Sequence, residues 1–187
     1  MPVSLSKGGN VSLSKEAPGL KDIVIGLGWD TRSTDGSAFD LDASMFMLKT
    51  DEKVRGDGDF IFYNNMKSGD GSVEHLGDNT TGEGEGDDEQ IIVDLTRVPQ
   101  NVEALMFVVN SFTGQDFSSI ENAFCRIVDE GTGLEIARYE LSGGGKHNAQ
   151  VMAKLYRQGG EWKMHAIGEN TSGRTFRDLM PAMTANL

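Results

Sequence analysis

The chain has 187 residues, 37% of them hydrophobic, a mean hydropathy of -0.36 and one cysteine, Cys125. That is enough to bury a core, and a lone cysteine excludes an internal disulfide framework and fits a reducing compartment. The formal charge of -12 is uneven: Asp22 to Asp94 holds 18 acidic and 5 basic residues, the remainder 11 and 12. A field concentrated in this way attracts cations and argues against nucleic acid or an anionic membrane as partner.

In chain order, Val3-Ser4-Leu5-Ser6-Lys7 and Val11-Ser12-Leu13-Ser14-Lys15 repeat one alternating pattern around Gly8-Gly9-Asn10, which predicts a β-hairpin. Ile23-Val24-Ile25-Gly26-Leu27-Gly28-Trp29 places Ile23, Ile25, Leu27 and Trp29 on one strand face. Further strands are expected at Ala43 to Leu48, Phe60 to Tyr63, Gln90 to Leu95 and Ala104 to Phe112. Four more follow at Ala123 to Val128, Leu134 to Leu141, Gln150 to Arg157 and Trp162 to Ile167. These runs are short, rich in β-branched, aromatic or methionine side chains, and mostly bounded by Gly, Asn or Asp.

Helical signal is sparse. Leu95 to Pro99 suits one turn, and Phe176, Leu179 and Met180 predict a short C-terminal helix capped by Thr171 or Ser172. Pro181 is expected to stop or kink it. The pattern predicts an all-β chain, a β-sandwich with a short C-terminal helix, in a single domain spanning 1–187. No apolar run approaches the roughly 20 residues that span a bilayer, and Met1 to Lys7 lacks an apolar signal region, so a cytoplasmic location is expected.

Two segments concentrate carboxylates. The first contains Asp30, Asp35, Asp40 and Asp42; the second, Asp78 to Glu89, carries six carboxylates and three glycines in twelve residues. Charges about 4 Å apart repel by roughly 1 to 4 kcal/mol, depending on exposure, and a bound cation removes that cost. Ca²⁺ accepts six to eight oxygens in tolerant geometry, and glycines let backbone carbonyls turn toward it. Mg²⁺ demands a stricter octahedron, and the absence of clustered His or Cys disfavours a transition metal. On the residues alone, a solvated acidic loop on a structural or scaffolding β domain stays open beside a Ca²⁺ site.

Other patterns fail their own tests. Asp40, Asp42 and Ser44 would suit an EF-hand loop, but Met45 stands where its glycine belongs. Ser142-Gly143-Gly144-Gly145-Lys146 lacks the leading glycine and following hydroxyl of a phosphate loop. His75, His147 and His165 are scattered, and Cys125 alternates with Ile127 as a core residue would. These patterns do not favour an enzyme.

The chain resembles the TerD family of bacterial tellurium-resistance and stress proteins. The residues that carry the resemblance are Val3 to Asn10, Gly26-Leu27-Gly28-Trp29-Asp30, Phe39-Asp40-Leu41-Asp42-Ala43-Ser44, Phe60 to Asn65 and, most specifically, Gly77 to Glu89. The resemblance implies a β-sandwich with Ca²⁺-binding loops at one end, holding two ions. It implies resistance to tellurite, colicins and phage, with other Ter proteins as partners, at the inner membrane surface. Carried onto these positions, the ligands would be Asp30, Asp40, Asp42, Asp78, Glu83, Asp87 and Asp88, with Asn79 and the Gly82 carbonyl in addition. Asp59, Asn65 and Asp70 are weaker candidates.

Overall fold

The structure is a computed structural model that describes residues 1–31, 40–49, 57–77, 86–112, 114–140, 145–173 and 176–187. The described strands are β1 (Val3–Leu5), β2 (Asn10–Ser12), β3 (Asp22–Thr31), β4 (Leu41–Lys49), β5 (Phe60–Ile61) and β6 (Val73–His75). They continue with β7 (Glu89–Asp94), β8 (Val102–Ser111), β9 (Ile120–Asp129), β10 (Glu135–Glu140), β11 (Ala149–Gln158) and β12 (Glu161–Thr171). Two α-helices join them, α1 (Leu13–Glu16) and α2 (Phe176–Thr184), with single 3-10 turns at Asp57–Asp59 and Phe117–Ser119.

These strands form two six-stranded sheets. The first has the order β1-β10-β9-β3-β7-β6, the second β2-β12-β11-β8-β4-β5. Alternation along each strand makes the sandwich. Ile25, Leu27, Cys125 and Ile127 of the first sheet share one buried cluster with Met45, Met47, Leu105, Phe107 and Leu155 of the second. Full burial of a side chain of this size contributes about 1.5 to 3 kcal/mol.

The second sheet is apolar on its other face too. Phe46, Leu48, Met106, Val108 and Ile167 form a second cluster with Leu179 and Met183 of α2. That double burial explains why β4 and β8 read as nearly unbroken apolar runs where one-sided strands would alternate. α2 continues through Pro181, so the proline does not stop it, and Leu179 and Met183 anchor the helix on both sides of the proline. The proline removes one interior backbone hydrogen bond of α2, a cost that the burial of Leu179 and Met183 offsets.

The predicted N-terminal hairpin is absent. β1 pairs in parallel with β10 in the first sheet, whereas β2 pairs antiparallel with β12 in the second. The intervening turn docks on β12 through Gly8 N–H to the Ala166 carbonyl at 2.7 Å and Ala166 N–H to the Gly9 carbonyl at 2.8 Å. Each half of the repeat thereby covers the edge of a different sheet. The second half also stops early, since Leu13 begins α1. Smaller differences are β6, which was not expected, and the Phe60 to Tyr63 run, of which only Phe60–Ile61 is strand. Leu95 to Arg97 form a hydrogen-bonded turn without becoming helical.

Met183 is fully buried beneath α2. Met183→Ala is expected to lower stability by about 2 to 3 kcal/mol in urea unfolding, the lower part of the range for buried Met truncation because α2 can settle inward.

Candidate metal centre

The acidic segment enters the first sheet through two glycines of β3. Gly26 lies between Gln90 of β7 and Arg126 of β9 in the strand register. A Cβ at Gly26 would overlap the Asp87 carboxylate, and one at Gly28 would lie 2.6 Å from the Gly86 carbonyl. The alternating glycines of the Gly26-Leu27-Gly28 run therefore create a bare strip on which residues 86–88 rest. The Asp88 N–H bonds the Leu27 carbonyl at 2.7 Å and fixes the register of that contact.

Asp87 is clasped over this strip. Arg126 donates from Nε to Asp87 Oδ1 at 2.7 Å and from Nη2 to Oδ2 at 3.1 Å, and Gln90 Nε2 donates to Oδ2 at 3.0 Å. The Asp87 side chain is 1% exposed. Arg126 also reaches Glu135 at 3.1 Å, and Arg138 holds Glu135 through bonds of 2.9 and 3.2 Å. The Arg138 guanidinium stacks 4.1 Å above the Phe124 ring. Hydrogen bonding from Arg138, then from Arg126, holds the Glu135 carboxyl below its usual range, and the Asp87 bond raises Arg126 above its own. Each carboxylate here has both oxygens on a planar donor pair, the strong bidentate arrangement.

The other predicted ligands divide by position. Asp30, on the exposed end of β3, lies beyond a β-bulge between Gly28 and Asp30 and accepts from Asn122 Nδ2 at 2.8 Å. Asp88 Oδ2 accepts from the Trp29 N–H at 2.9 Å. Burial raises the Asp88 pKa above the usual carboxylate range, the Trp29 bond opposes it, and the Asp30 and Asp87 charges push it further up. Asp42 is buried in β4, 4% exposed, and Asp40 precedes that strand with its carbonyl bonded to Phe112 N–H at 3.0 Å. Asp78, Asn79, Gly82 and Glu83 lie outside the described residues.

A buried contact joins the two groups across the sandwich. Glu89 Oε2 accepts from the Ala43 N–H at 2.7 Å, so Asp42 and Asp88, sequence neighbours of those residues, stand at the same end of the fold. His75 Nε2 lies 3.3 Å from that oxygen, with both side chains 1% exposed. Gly77 N–H donates to His75 Nδ1 at 3.2 Å, so the proton of a neutral ring sits on Nε2, facing Glu89. Among the described residues, no three His, Cys, Asp or Glu side chains group closely enough to hold a metal ion by themselves. Asp70 makes a local turn with Ser68 and Ser72, and Asn65 donates to the Phe60 carbonyl at 2.7 Å.

The TerD domain matches residues 1–181, nearly the whole chain. The chain belongs to the TerD family. It is 52% identical over 178 residues to the tellurium resistance protein TerD of Serratia marcescens, covering 92% of this chain and 93% of that protein. It is 46% identical over 179 residues to general stress protein 16U of Bacillus subtilis (strain 168), with 92% and 93% covered. A solved homologue of telluride resistance protein (TerD) from Streptomyces coelicolor A3(2) superposes with a TM-score of 0.72 at 17% identity, over 89% of this chain and 98% of that one. That likeness shows the shared two-sheet fold. No helix among the described residues of this TerD-family chain is long and apolar enough to cross a membrane.

Sequence reasoning named Asp87 and Asp88 together, but their side chains face different partners. It missed Arg126, Glu135 and Arg138, whose association depends on strand register. Replacing Arg126 with Ala strands the buried Asp87 carboxylate. A loss of about 2 kcal/mol is expected in urea unfolding, discounted from the 3 to 5 kcal/mol of a fully buried pair because Arg126 is partly exposed. Lys67→Ala, which breaks the exposed pair with Glu74, should change stability by less than about 1 kcal/mol.

Cys125 is fully buried, and that burial pushes its thiol up to about 12. At pH 8 a disulfide reagent such as Ellman's is expected to label it only as fast as the protein unfolds. Rapid stoichiometric labelling of the native protein would contradict this placement.

Proposed function

We propose that this TerD-family protein is a Ca²⁺-binding stress protein of the cytoplasm that works by docking partners and carries out no catalysis. The observation that carries the reading is Asp88: a desolvated carboxylate beside Asp30 and Asp87, at the root of a segment dense in further carboxylates. Its environment penalises the charged form, and a hard cation offsets that penalty. Hard oxygen donors dominate the donor set, which suits Ca²⁺ better than a transition metal.

In this reading Asp30, Asp40, Asp42 and Asp88 supply carboxylates from the framework, and Asp78, Asn79, Glu83 and the Gly82 carbonyl complete the shell. Asp87 serves as the anchor that seats the segment, since Arg126 and Gln90 engage both its oxygens. Bound Ca²⁺ would neutralise the crowded carboxylates and tie the loops of both sheets together. The buried, poorly acidic Cys125 supports a non-catalytic role, because reduction of an oxyanion by thiol chemistry needs an accessible thiolate. Membership of a tellurium-resistance and stress family supports a role in resistance to tellurite, colicins and phage, exercised with other Ter proteins at the inner membrane surface.

Calorimetry with Ca²⁺ and Mg²⁺, paired with thermal melts in each, tests the reading. Ca²⁺ is expected to bind below millimolar concentration and to stabilise the fold by about 2.7 kcal/mol at a hundredfold excess over Kd. Asp42→Asn and Asp88→Asn should each remove most of that increment. Without Ca²⁺ they should leave stability unchanged or slightly higher. If neither ion binds below millimolar or raises the melting temperature, the acidic loops are solvated and the domain is structural.

A further inference from the structure

α2 covers only part of the outer face of the second sheet. Beside it, where β2, β12, β11 and β8 run together, the face is polar and cationic. Two cavities of about 440 and 360 Å³ meet there on either side of Tyr156. Gln100, Ala104, Lys154 and Arg157 line the first, while Asn10, Ser12, Lys15, Gln158 and Lys163 line the second. Strand register sets the order across the groove: Ser12 opposes Lys163, Lys163 opposes Tyr156, and Tyr156 opposes Ala104. One row along, Asn10 opposes His165 and His165 opposes Lys154.

The cations are held in place by neutral groups. Lys154 Nζ donates to the Asn186 carbonyl at 2.7 Å and lies 5.3 Å from the centre of the Tyr156 ring. Lys163 Nζ donates to Gln158 Oε1 at 2.8 Å, and Arg157 donates to the Pro99 and Val102 carbonyls at 3.2 and 3.3 Å. Tyr156 Oη and His165 Nδ1 share Asn10 Oδ1 at 3.2 and 2.9 Å. Two carboxylates stand nearby, Glu161, which pairs with Lys15 at 3.6 Å, and Glu103 at the far wall. Among the described residues no carboxylate lies within ion-pair distance of Lys154 or Lys163. Four cationic side chains stand against two carboxylate side chains, and Leu187 adds its terminal carboxylate at the first cavity, so the groove keeps a small positive balance on a chain whose net charge is -12.

We propose that this groove binds an extended acidic segment of a partner protein, with its carboxylates on Lys154 and Lys163 and an apolar residue on the Tyr156 ring. Four adjacent strands span about 15 Å, the length of about five extended residues. Asn10, Gln100 and Gln158 supply amide groups suited to a peptide backbone, and Ala104 and Tyr156 supply an apolar floor. Phosphate polymers and anionic bilayers meet the long-range repulsion of the acidic half, and two small concavities offer a bilayer no flat contact. A short acidic peptide engages the local charge at close range, where the lysines dominate.

The probe is a fluorescein-labelled decapeptide of alternating Glu and Leu, read by fluorescence anisotropy against the full chain in 50 mM salt with a chelator present. Saturable binding is expected, weakened at least tenfold by Lys154→Glu with Lys163→Glu and several-fold by raising salt to 300 mM. Lys163→Gln changes only a half-buried side chain hydrogen-bonded to the Gln158 amide, so it provides a folded variant and should weaken binding about threefold. Lys67→Ala, remote from the groove, should leave affinity unaltered. Absence of saturable binding, or equal affinity in Lys163→Gln and the double variant, overturns the proposal. Tighter lysine-dependent capture of a single-stranded decanucleotide, or of vesicles containing phosphatidylserine, overturns it in favour of those partners.

Discussion

Everything at the acidic end depends on one seating contact, the Asp87 carboxylate lying on the bare backbone of Gly26 between Arg126 and Gln90. A side chain at Gly26 would occupy that place. A missing arginine would leave a buried charge uncompensated. The contact therefore joins a steric requirement to an electrostatic one. It holds residues 86–88 against β3, and so directs Asp88 beside Asp30 at the end of the first sheet. The Glu89 bond to Ala43 then brings Asp42 of the second sheet to the same end.

This arrangement separates two kinds of carboxylate that look alike in a sequence. Asp87 and Glu135 are neutralised by guanidinium groups and act as framework. Burial first, and then the nearby Asp30 and Asp87 charges, raise the proton affinity of Asp88, a cost the fold retains. Structural carboxylates are usually given a cation from within the chain, whereas crowded ones suit a cation from outside. The contrast between neighbouring residues 87 and 88 is what gives the Ca²⁺ reading its physical content.

The two ends of the charge distribution also divide the surface into distinct roles. Among the described residues, Asp30, Asp42 and Asp88 gather at one end of the sandwich, and a smaller positive groove lies on the outer face of the second sheet beside α2. A sandwich suits this division because its core needs only the inward half of each strand. The outward half is free to differ from strand to strand. On β4 and β8 it is apolar and belongs to the buried cluster that includes Leu179 and Met183 of α2, whereas on the C-terminal half of β11 it carries Lys154 and Tyr156.

Much of the architecture was legible from period-two alternation, which requires no knowledge of the partner strand. Ile23 to Trp29 and Ala123 to Val128 show their inward faces plainly, whereas the burial of β4 and β8 on both sides emerged only from the fold. The acidic segments were equally legible, since charge density is a property of composition. Sheet assignment was not: the repeat around Gly8 and Gly9 looks like a hairpin, but its halves join different sheets because each finds a longer edge than the other offers. Nor could local spacing show that Asp87 meets Arg126, 39 residues away, or that Glu89 meets His75 and Ala43. The sequence by itself determined the strand faces, the local turns and the amount of negative charge, because these follow from neighbouring residues. Only the tertiary structure decided which carboxylates are neutralised and which remain crowded, because that depends on what strand register places within about 4 Å.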